Sequence, residues 1–291
     1  MKIRIHRGAN QIGGTCIELA HGGARLVLDL GLPLDGDAED ASLLPAIAGE
    51  DLAAVLISHP HLDHYGLLPH LPGSIPIAMG EAARRIVQTA APFTRQSLPD
   101  LDGPALRDRQ TFEIGPFRIT PYLVDHSAFD AYALLIEAGG KRVFYSGDFR
   151  GHGRKAGVFE RLIADPPGNI DVLFMEGSSL SRLDTDESFA TEQDLEDDLV
   201  ERLKDHEGML MVHTSAQNID RMVTLTRATK RTGRTLVIDL YTAAIMEATE
   251  HPSIPQSDWT GVALYVPQAQ RLQIKEQGWF DLLERHSHHR I

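Results

Sequence analysis

The sequence predicts a layered α/β fold in which the pattern of predicted secondary structure changes about two thirds of the way along the chain. Up to about residue 181, short β-branched runs alternate with glycine turns, which is typical of strands and hairpins. From about residue 182, helical and strand-like stretches alternate, which is typical of a parallel α/β unit. We therefore expect two domains, at residues 1–181 and 182–291.

The elements of the first domain follow from apolar runs bounded by turn residues. A helix is predicted at residues 81–89. Gly22-Gly23, Gly115-Pro116 and Gly139-Gly140 mark the hairpin turns. The predicted strands lie at residues 2–7, 15–20, 25–30, 53–57, 75–79, 111–114, 117–124, 132–138, 141–146 and 171–175.

The second domain is predicted to alternate helices with buried strands. Its helices are predicted at residues 192–204, 218–230 and 241–249. Its strands are predicted at residues 209–212 and 236–239.

Composition points to a globular protein of the cytoplasm. The 291 residues are 42% hydrophobic, and no apolar run reaches the length of a membrane span. The single cysteine, Cys16, lies in a strand-like stretch and has no partner for an internal disulfide, which fits a reducing compartment. The net charge of −13 taken alone argues against a nucleic-acid partner, although much of it lies in local acidic stretches.

One stretch carries an unusual density of metal-binding side chains. His59, His61, Asp63 and His64 fall within six residues, directly after the predicted strand at 53–57. Imidazole and carboxylate are the usual ligands of zinc and similar ions, and four of them in one loop exceed what a single tetrahedral site takes. Solvated loop histidines are the alternative, but such a cluster beside a hydrophobic strand is costly unless something binds there. Two metal ions are therefore predicted.

Polar residues of the ligand type also close four other predicted strands. They are Asp29, His126, Asp148 and Glu176, and strand ends that converge on one rim assemble a site from distant sequence. His126 closes an apolar strand as His59 does, so it is predicted to be a ligand. Asp29 is predicted to orient a metal-bound histidine without binding the metal itself.

The spacing His59-x-His61-x-Asp63-His64, with Asp29 before it and His126 and Asp148 after it, resembles the metallo-β-lactamase superfamily. Residues 146–150, 176–179 and 214–221 resemble its β-CASP branch, which includes ribonuclease J and the endonuclease of messenger-RNA 3′ processing. The resemblance implies an αββα sandwich with an inserted α/β (β-CASP) domain.

The resemblance also implies roles for individual residues. Asp63, Asp148 and Glu176 are expected to act in catalysis, Glu176 by supporting a proton-donating histidine, and Asp29 is expected to be structural. Two Zn²⁺ ions are expected, or Mn²⁺ or another divalent ion in their place. By resemblance the first ion is held by His59, His61 and His126, the second by Asp63 and His64, and Asp148 bridges the two.

Family members continue after the inserted domain and supply two more histidines, whereas this chain ends at Ile291. We therefore expect a sandwich that is incomplete at the C-terminus, a weakly held second ion and low activity of the 291-residue chain itself. His286, His288 and His289 are predicted to be solvated. His213, at the end of a predicted strand, comes too early in the chain to replace the missing histidines.

The implied activity is hydrolysis of a phosphodiester in single-stranded RNA or DNA by a metal-activated water. Candidate substrate contacts are Arg150, Arg221 and the helix-start residues Ser215 and Asn218, which N-capping explains almost as well. Hydrolysis of a small thioester, lactone or ester and a non-catalytic β-CASP-type subunit are the alternatives. A homodimer is allowed for, and no membrane partner is expected.

Overall fold

The computed structural model describes residues 1–47, 49, 51–71, 75–178 and 188–291. Within these ranges two β-sheets pack face to face and helices cover their outer surfaces. The boundary predicted near residue 182 falls outside the described residues and stays a prediction. No helix of the described part combines the length and the apolar character that crossing a bilayer requires.

The first sheet contains six strands, which lie side by side in chain order. They are β1 (Lys2–Arg7), β2 (Cys16–His21), β3 (Ala24–Leu28), β4 (Leu52–Leu56), β5 (Ile77–Gly80) and β6 (Ala105–Leu106). β1, β2 and β3 pair antiparallel, whereas β3 to β6 run parallel. Because β3 and β4 end at the same edge, Asp29 and Ser58 become neighbours, and the Ser58 amide donates to the Asp29 carboxylate at 2.7 Å.

The second sheet contains five strands in the order β11-β10-β9-β8-β7. They are β7 (Phe112–Ile114), β8 (Phe117–Leu123), β9 (Tyr132–Ala138), β10 (Lys141–Tyr145) and β11 (Val172–Phe174). The hairpins predicted from the glycine turns are confirmed, and β10 and β11 pair in parallel with Tyr145 opposite Phe174. Asp148 and Glu176, which follow these two strands, therefore leave the sheet at one edge.

Apolar side chains of the two sheets form a shared core. Leu19, Leu26 and Leu28 of the first sheet pack with Phe117 and Leu134 of the second, and all five are inaccessible to solvent. Burial of side chains of this size contributes roughly 1.5–3 kcal/mol each. This core fixes the two sheets against each other and, with them, the strand ends that carry the site.

Helices cover the outer faces of both sheets. α1 (Leu62–Tyr65) and α2 (Glu81–Thr94) pack on the first sheet, and Ala83 and Val87 of α2 join its outer cluster. α3 (Ala156–Ala164), which the sequence did not predict, packs Leu162 near Phe144 of the second sheet. The layer order helix, sheet, sheet, helix confirms the predicted αββα sandwich.

Residues 188–291 form the α/β unit. Its elements are α4 (Glu192–Lys204), α5 (Ile219–Arg231), β12 (Leu236–Ile238), α6 (Leu240–Ala248), β13 (Val262–Leu264), α7 (Gln268–Gln277) and α8 (Phe280–His286). β12 and β13 pair in parallel, and Ile86 of α2 shares an apolar cluster with Ile245 and Met246 of α6. The unit therefore rests on the outer helix of the sandwich, an arrangement compatible with a β-CASP insertion.

Two sequence predictions about the α/β unit are wrong. Residues 209–212 form no strand, and Met209 and Met211 are 84% and 88% exposed because no described strand pairs with them. His286 was expected in solvent but is 3% exposed, and its Nδ1 lies 2.8 Å from the Oγ of Ser257. His213, beyond the exposed run, is itself exposed.

Candidate metal centre

Five strand ends bring the predicted site residues to one side of the sandwich. Asp29 and His59 follow β3 and β4 of the first sheet, and His126, Asp148 and Glu176 follow β8, β10 and β11 of the second. The two sets meet, since the ring centroids of His59 and His126 are 4.6 Å apart. The sheet packing, rather than local sequence, makes this contact.

Three histidines form the first group of candidate ligands. One ring nitrogen from each of His59, His61 and His126 lies within 4.8 Å of the others. Nε2 of His126 is 3.2 Å from Nδ1 of His61. Three converging imidazole nitrogens are a common ligand set for zinc and related ions.

A second group shares His59 and adds His64 and Asp148, again with ligand atoms within 4.8 Å of one another. Nε2 of His64 lies 3.4 Å from Oδ1 of Asp148 and 3.8 Å from Oδ2 of Asp63. The structure thus gathers all the predicted metal ligands into one histidine–aspartate cluster, which comprises His59, His61, Asp63, His64, His126 and Asp148.

Asp29 supports this cluster from the protein interior. Its carboxylate is fully buried and accepts hydrogen bonds from the amide and the hydroxyl of Ser58, at 2.7 and 2.8 Å. Nδ1 of His64 also donates to it at 2.7 Å, and the Tyr145 hydroxyl adds a further hydrogen bond. Because Nδ1 of His64 donates to Asp29, its Nε2 is left to face Asp148.

The donor set fits a divalent cation. Nε2 of His59 is buried in the middle of the cluster and has no hydrogen-bond partner among the described residues, which is unfavourable unless a cation meets it. Burial, reinforced by the neighbouring histidines, lowers the pKa of His59 well below its usual value. Burial has the same effect on the pKa of His126. Both rings are therefore neutral at pH 7, the form that binds metal.

Ser58 and Tyr145 are the site residues that sequence reasoning missed. Ser58 also lies 3.0 Å from Nδ1 of His59, so it links Asp29 to a second histidine of the cluster. Its only sequence signal is its place directly before His59. Tyr145 ends β10 near Asp148, and nothing in its sequence context indicates a contact with Asp29.

Glu176 lies beside the cluster and is not part of either ligand group. Its carboxylate accepts a hydrogen bond from the Phe149 amide at 3.0 Å and another from the Ser178 hydroxyl. It therefore holds the backbone directly after Asp148. Glu176, Asp63 and Asp148 line one groove of about 660 Å³ together with the loop at residues 8–13.

The two predicted substrate-binding arginines have acidic partners within the chain. Nη2 of Arg150 donates to Asp220 at 2.5 Å. Nη2 of Arg221 donates to Glu192 at 3.1 Å. Both carboxylates are buried; the Arg221–Glu192 pair lies within the α/β unit, whereas the Arg150–Asp220 pair joins that unit to the sandwich.

Ser215 and Asn218 also have local partners. The Ser215 hydroxyl accepts the Gln217 amide at 3.2 Å, and Oδ1 of Asn218 accepts the Arg221 amide at 3.1 Å as the N-cap of α5. N-capping therefore accounts for Asn218 without a phosphate. Contact of Arg150, Arg221, Ser215 or Asn218 with substrate stays a prediction.

Residues 34–238, more than half of the chain, match the profile of the β-lactamase superfamily domain. Together with the fold, this match shows that the chain belongs to the metallo-β-lactamase superfamily. Several curated relatives are named ribonucleases. The chain is 23% identical over 256 residues to ribonuclease J of Mycobacterium tuberculosis, with 80% of this chain and 43% of the relative covered.

Two further relatives point the same way. Ribonuclease J of Sinorhizobium meliloti is 24% identical over 197 residues, covering 65% of this chain and 34% of the relative. An RNase J-like protein of Methanocaldococcus jannaschii is 34% identical over 67 residues, covering 23% and 15%. The chain spans less than half the length of these relatives. Their similarity supports a β-CASP-like branch and a metal-dependent hydrolase.

A solved structure shares the fold over nearly the whole chain. A protein of unknown function from Enterococcus faecalis V583 superposes with a TM-score of 0.69 at 20% identity, covering 99% of this chain and 88% of that one. This likeness extends beyond the sandwich into the α/β unit.

Proposed function

We propose that the chain is a metal-dependent phosphodiesterase that hydrolyses RNA. The observation that carries this proposal is the histidine–aspartate cluster, whose members come from three different strand ends. Within it, Nε2 of His59 has no hydrogen-bond partner in the part of the chain that the structure describes. The similarity to ribonucleases supports RNA as the substrate class.

Each ligand has a distinct place in the proposed site. His59, His61 and His126 would hold one divalent ion, Asp63 and His64 would hold a second, and Asp148 would serve both. Divalent ions held there would supply Lewis-acid chemistry, which makes a water molecule more acidic and neutralises charge on the phosphoryl oxygens. Zinc is the ion that the imidazole-rich set favours, with Mn²⁺ as the alternative.

The acidic side chains that face the groove orient the attacking water. The side chains of Asp63 and Asp148 are 23% and 30% exposed, and both residues line the groove. Their oxygens would accept hydrogen bonds from the water and fix its lone pair toward phosphorus. The contacts of Asp29 with Nδ1 of His64 and of Ser58 with Nδ1 of His59 would leave Nε2 of each ring for a metal ion.

A basic surface for the RNA backbone is offered by α5. Among the described residues, Arg227 and Lys230 are exposed and make no ion pair, whereas Arg231 pairs with Glu196. Arg227 also borders a cavity of about 780 Å³ that includes Lys155 and lies between the sandwich and the α/β unit. We propose that phosphates contact this side of α5, which would give binding a strong salt dependence.

The test joins metal analysis to a cleavage assay. Protein purified without chelator should contain about one to two divalent ions per chain and should cut labelled single-stranded RNA only when metal is present, at the low rate expected of the 291-residue chain. His59→Ala should lose at least one ion, since His59 belongs to both ligand groups. His213→Ala, a change of the same kind at an exposed histidine, should keep the wild-type metal content.

The results also separate the alternatives. Metal binding with rapid hydrolysis of a thioester or lactone and no RNA cleavage would replace RNA with a small ester as the substrate. Metal binding without any hydrolysis would favour a non-catalytic subunit. If zinc-loaded wild-type protein retains no metal after desalting, the assignment of the site is wrong.

A further inference from the structure

The loop at residues 147–155, which carries Asp148, is tied to helix α5 by one buried carboxylate. Asp220 is 4% exposed, and its Oδ2 accepts Nη2 of Arg150 at 2.5 Å and the backbone amide of Arg154 at 2.9 Å. A single oxygen atom thus holds this loop at two points that lie two and six residues beyond Asp148.

The same loop is fastened to the strand end that carries His126. Asp125 is fully buried; its carbonyl accepts the Arg150 amide at 2.7 Å, and its Oδ2 accepts the Gly153 amide at 2.7 Å. A Cβ at Gly153 would lie 2.3 Å from Oδ1 of Asp125. The loop therefore fits against Asp125 with no room for another atom.

The loop at residues 147–155 also contacts α4 and α5 through Arg154 and His152. Nη2 of Arg154 donates to Glu196 at 2.7 Å and to the hydroxyl of Thr224 at 2.8 Å. The Glu192 amide, at the start of α4, donates to the carbonyl of His152 at 3.0 Å. Glu192, Glu196 and Asp220 are all buried, so the shortest ion pair of each arginine of the loop is with a carboxylate of the α/β unit, and Arg150 also lies 3.7 Å from Asp125 of the sandwich.

We propose that Asp220 is a positioning residue for the metal centre. Its contacts with Arg150 and Arg154 fix the loop that carries Asp148. Arg150 in turn holds this loop against Asp125, the residue before His126. The placement of α5 therefore sets how Asp148 and His126 approach each other. This inference rests on the proposed function, because it assumes that the histidine–aspartate cluster binds divalent ions.

The consequence is that metal affinity depends on a contact outside the cluster. Groups that orient metal ligands typically change metal affinity by about 10- to 100-fold when they are mutated. Asp220→Asn keeps an oxygen that accepts the Arg154 amide but removes the charge that Arg150 faces. It should weaken binding of the ion held by Asp148 by about 10- to 100-fold.

The experiment uses the 291-residue chain, with Co²⁺ as a spectroscopic probe and Zn²⁺ in competition with a chelator. Asp220→Asn should lower the affinity and alter the visible absorption of bound Co²⁺, recorded well below the unfolding temperature. The matched control is Asp239→Asn. Asp239 caps α6 by accepting the Thr242 amide at 2.8 Å and Nε2 of Gln270 at 2.7 Å, away from the loop.

Wild-type affinity and spectrum in folded Asp220→Asn would overturn the inference, and so would an equal loss in the Asp239→Asn control. Failure of the wild type to bind Co²⁺ or Zn²⁺ would instead refute the proposed metal site, and the inference with it.

A second variant covers the case in which Asp220→Asn does not fold because Arg150 loses its shortest ion pair and keeps only Asp125 and Glu192, at 3.7 and 3.9 Å. The double variant Asp220→Asn with Arg150→Gln removes both charges, which is far less costly than removing one. It should fold and still bind Co²⁺ more weakly than wild type. Wild-type Co²⁺ binding by the folded double variant would overturn the positioning role.

Discussion

Asp29 shows how one residue supports a whole cluster. Its φ of +56° is in the left-handed region that side chains rarely adopt, and its buried carboxylate meets Ser58, His64 and Tyr145. Backbone strain of this kind persists where the surroundings determine it strongly, as they do at binding sites. Strain at Asp29 therefore agrees with a functional role for the residues that it contacts.

The ligands could be predicted from sequence because most of them are local. His59, His61, Asp63 and His64 share one loop, so their chemistry is visible without knowledge of the fold. Tyr145 could not be predicted, since it reaches Asp29 from 116 residues away through the packing of two sheets. The orienting contacts depend on tertiary structure in a way that the ligands themselves do not.

Cys16 allows a test of the core at single-residue resolution. Its side chain is inaccessible to solvent, and burial raises the pKa of its thiol to about 12. Since only the thiolate attacks alkylating agents, the folded protein at pH 8 should react with iodoacetamide at least roughly a thousand-fold more slowly than the urea-unfolded chain. Mass spectrometry of timed samples measures both rates. Comparable rates in the two states would show that β2 is not buried as described.

At the scale of elements, the sequence predicted the hairpins well because glycine turns mark them locally. The strand prediction at residues 209–212 was wrong because an apolar run indicates only burial, whereas a strand also needs a neighbouring strand to pair with. The helices α7 and α8 were not predicted, because tertiary contacts rather than a clear apolar pattern identify their buried residues. Their apolar residues are few, and Trp279 and Ile274 find their partners only in the cluster shared with α2 and α6.

A matched pair of methionines tests the exposed run. Met211 is 88% exposed and Met246 of α6 is fully buried. Met211→Gln should change the free energy of unfolding by less than about 0.5 kcal/mol. Met246→Gln should lower it by roughly 2–5 kcal/mol, because a polar amide would replace a packed thioether. Urea denaturation gives both values. A large loss for Met211→Gln would mean that residues 209–212 pack as the strand that the sequence predicts.

At the scale of the whole molecule, the α/β unit is joined to the sandwich by two kinds of contact. One is apolar, between α2 and α6, where Ile86 and Met246 share a cluster. The other is ionic, where Arg150 and Arg154 of the sandwich meet Asp220 and Glu196. The sequence indicates neither contact, since Arg150 and Arg154 are equally consistent with a surface that binds RNA. The structure therefore shows that Arg150 links the two parts, and its contact with phosphate stays a prediction.

The C-terminal helix provides a test of global stability against pH. His286 is buried against Ser257, and Nε2 of His286 lies 3.5 Å from the carboxylate of Glu247. Burial lowers the pKa of His286, and the nearby Glu247 carboxylate only partly opposes this effect. The folded protein therefore binds a proton at His286 less readily than the unfolded chain does, whose histidine pKa is about 6.5.

The sign of the effect follows from this difference in proton binding. Well above pH 6.5 the ring is neutral in both states and contributes no pH dependence. As the pH falls below about 6.5, the unfolded chain takes up the proton first, so the free energy of unfolding decreases until the pH reaches the lower pKa of the folded state. His286→Gln should flatten this acid-side decline, while histidines elsewhere act equally in both proteins. Urea denaturation between pH 5 and 8 measures the two slopes. Equal slopes for wild type and His286→Gln would contradict the burial of His286, since an exposed histidine has the same pKa in both states.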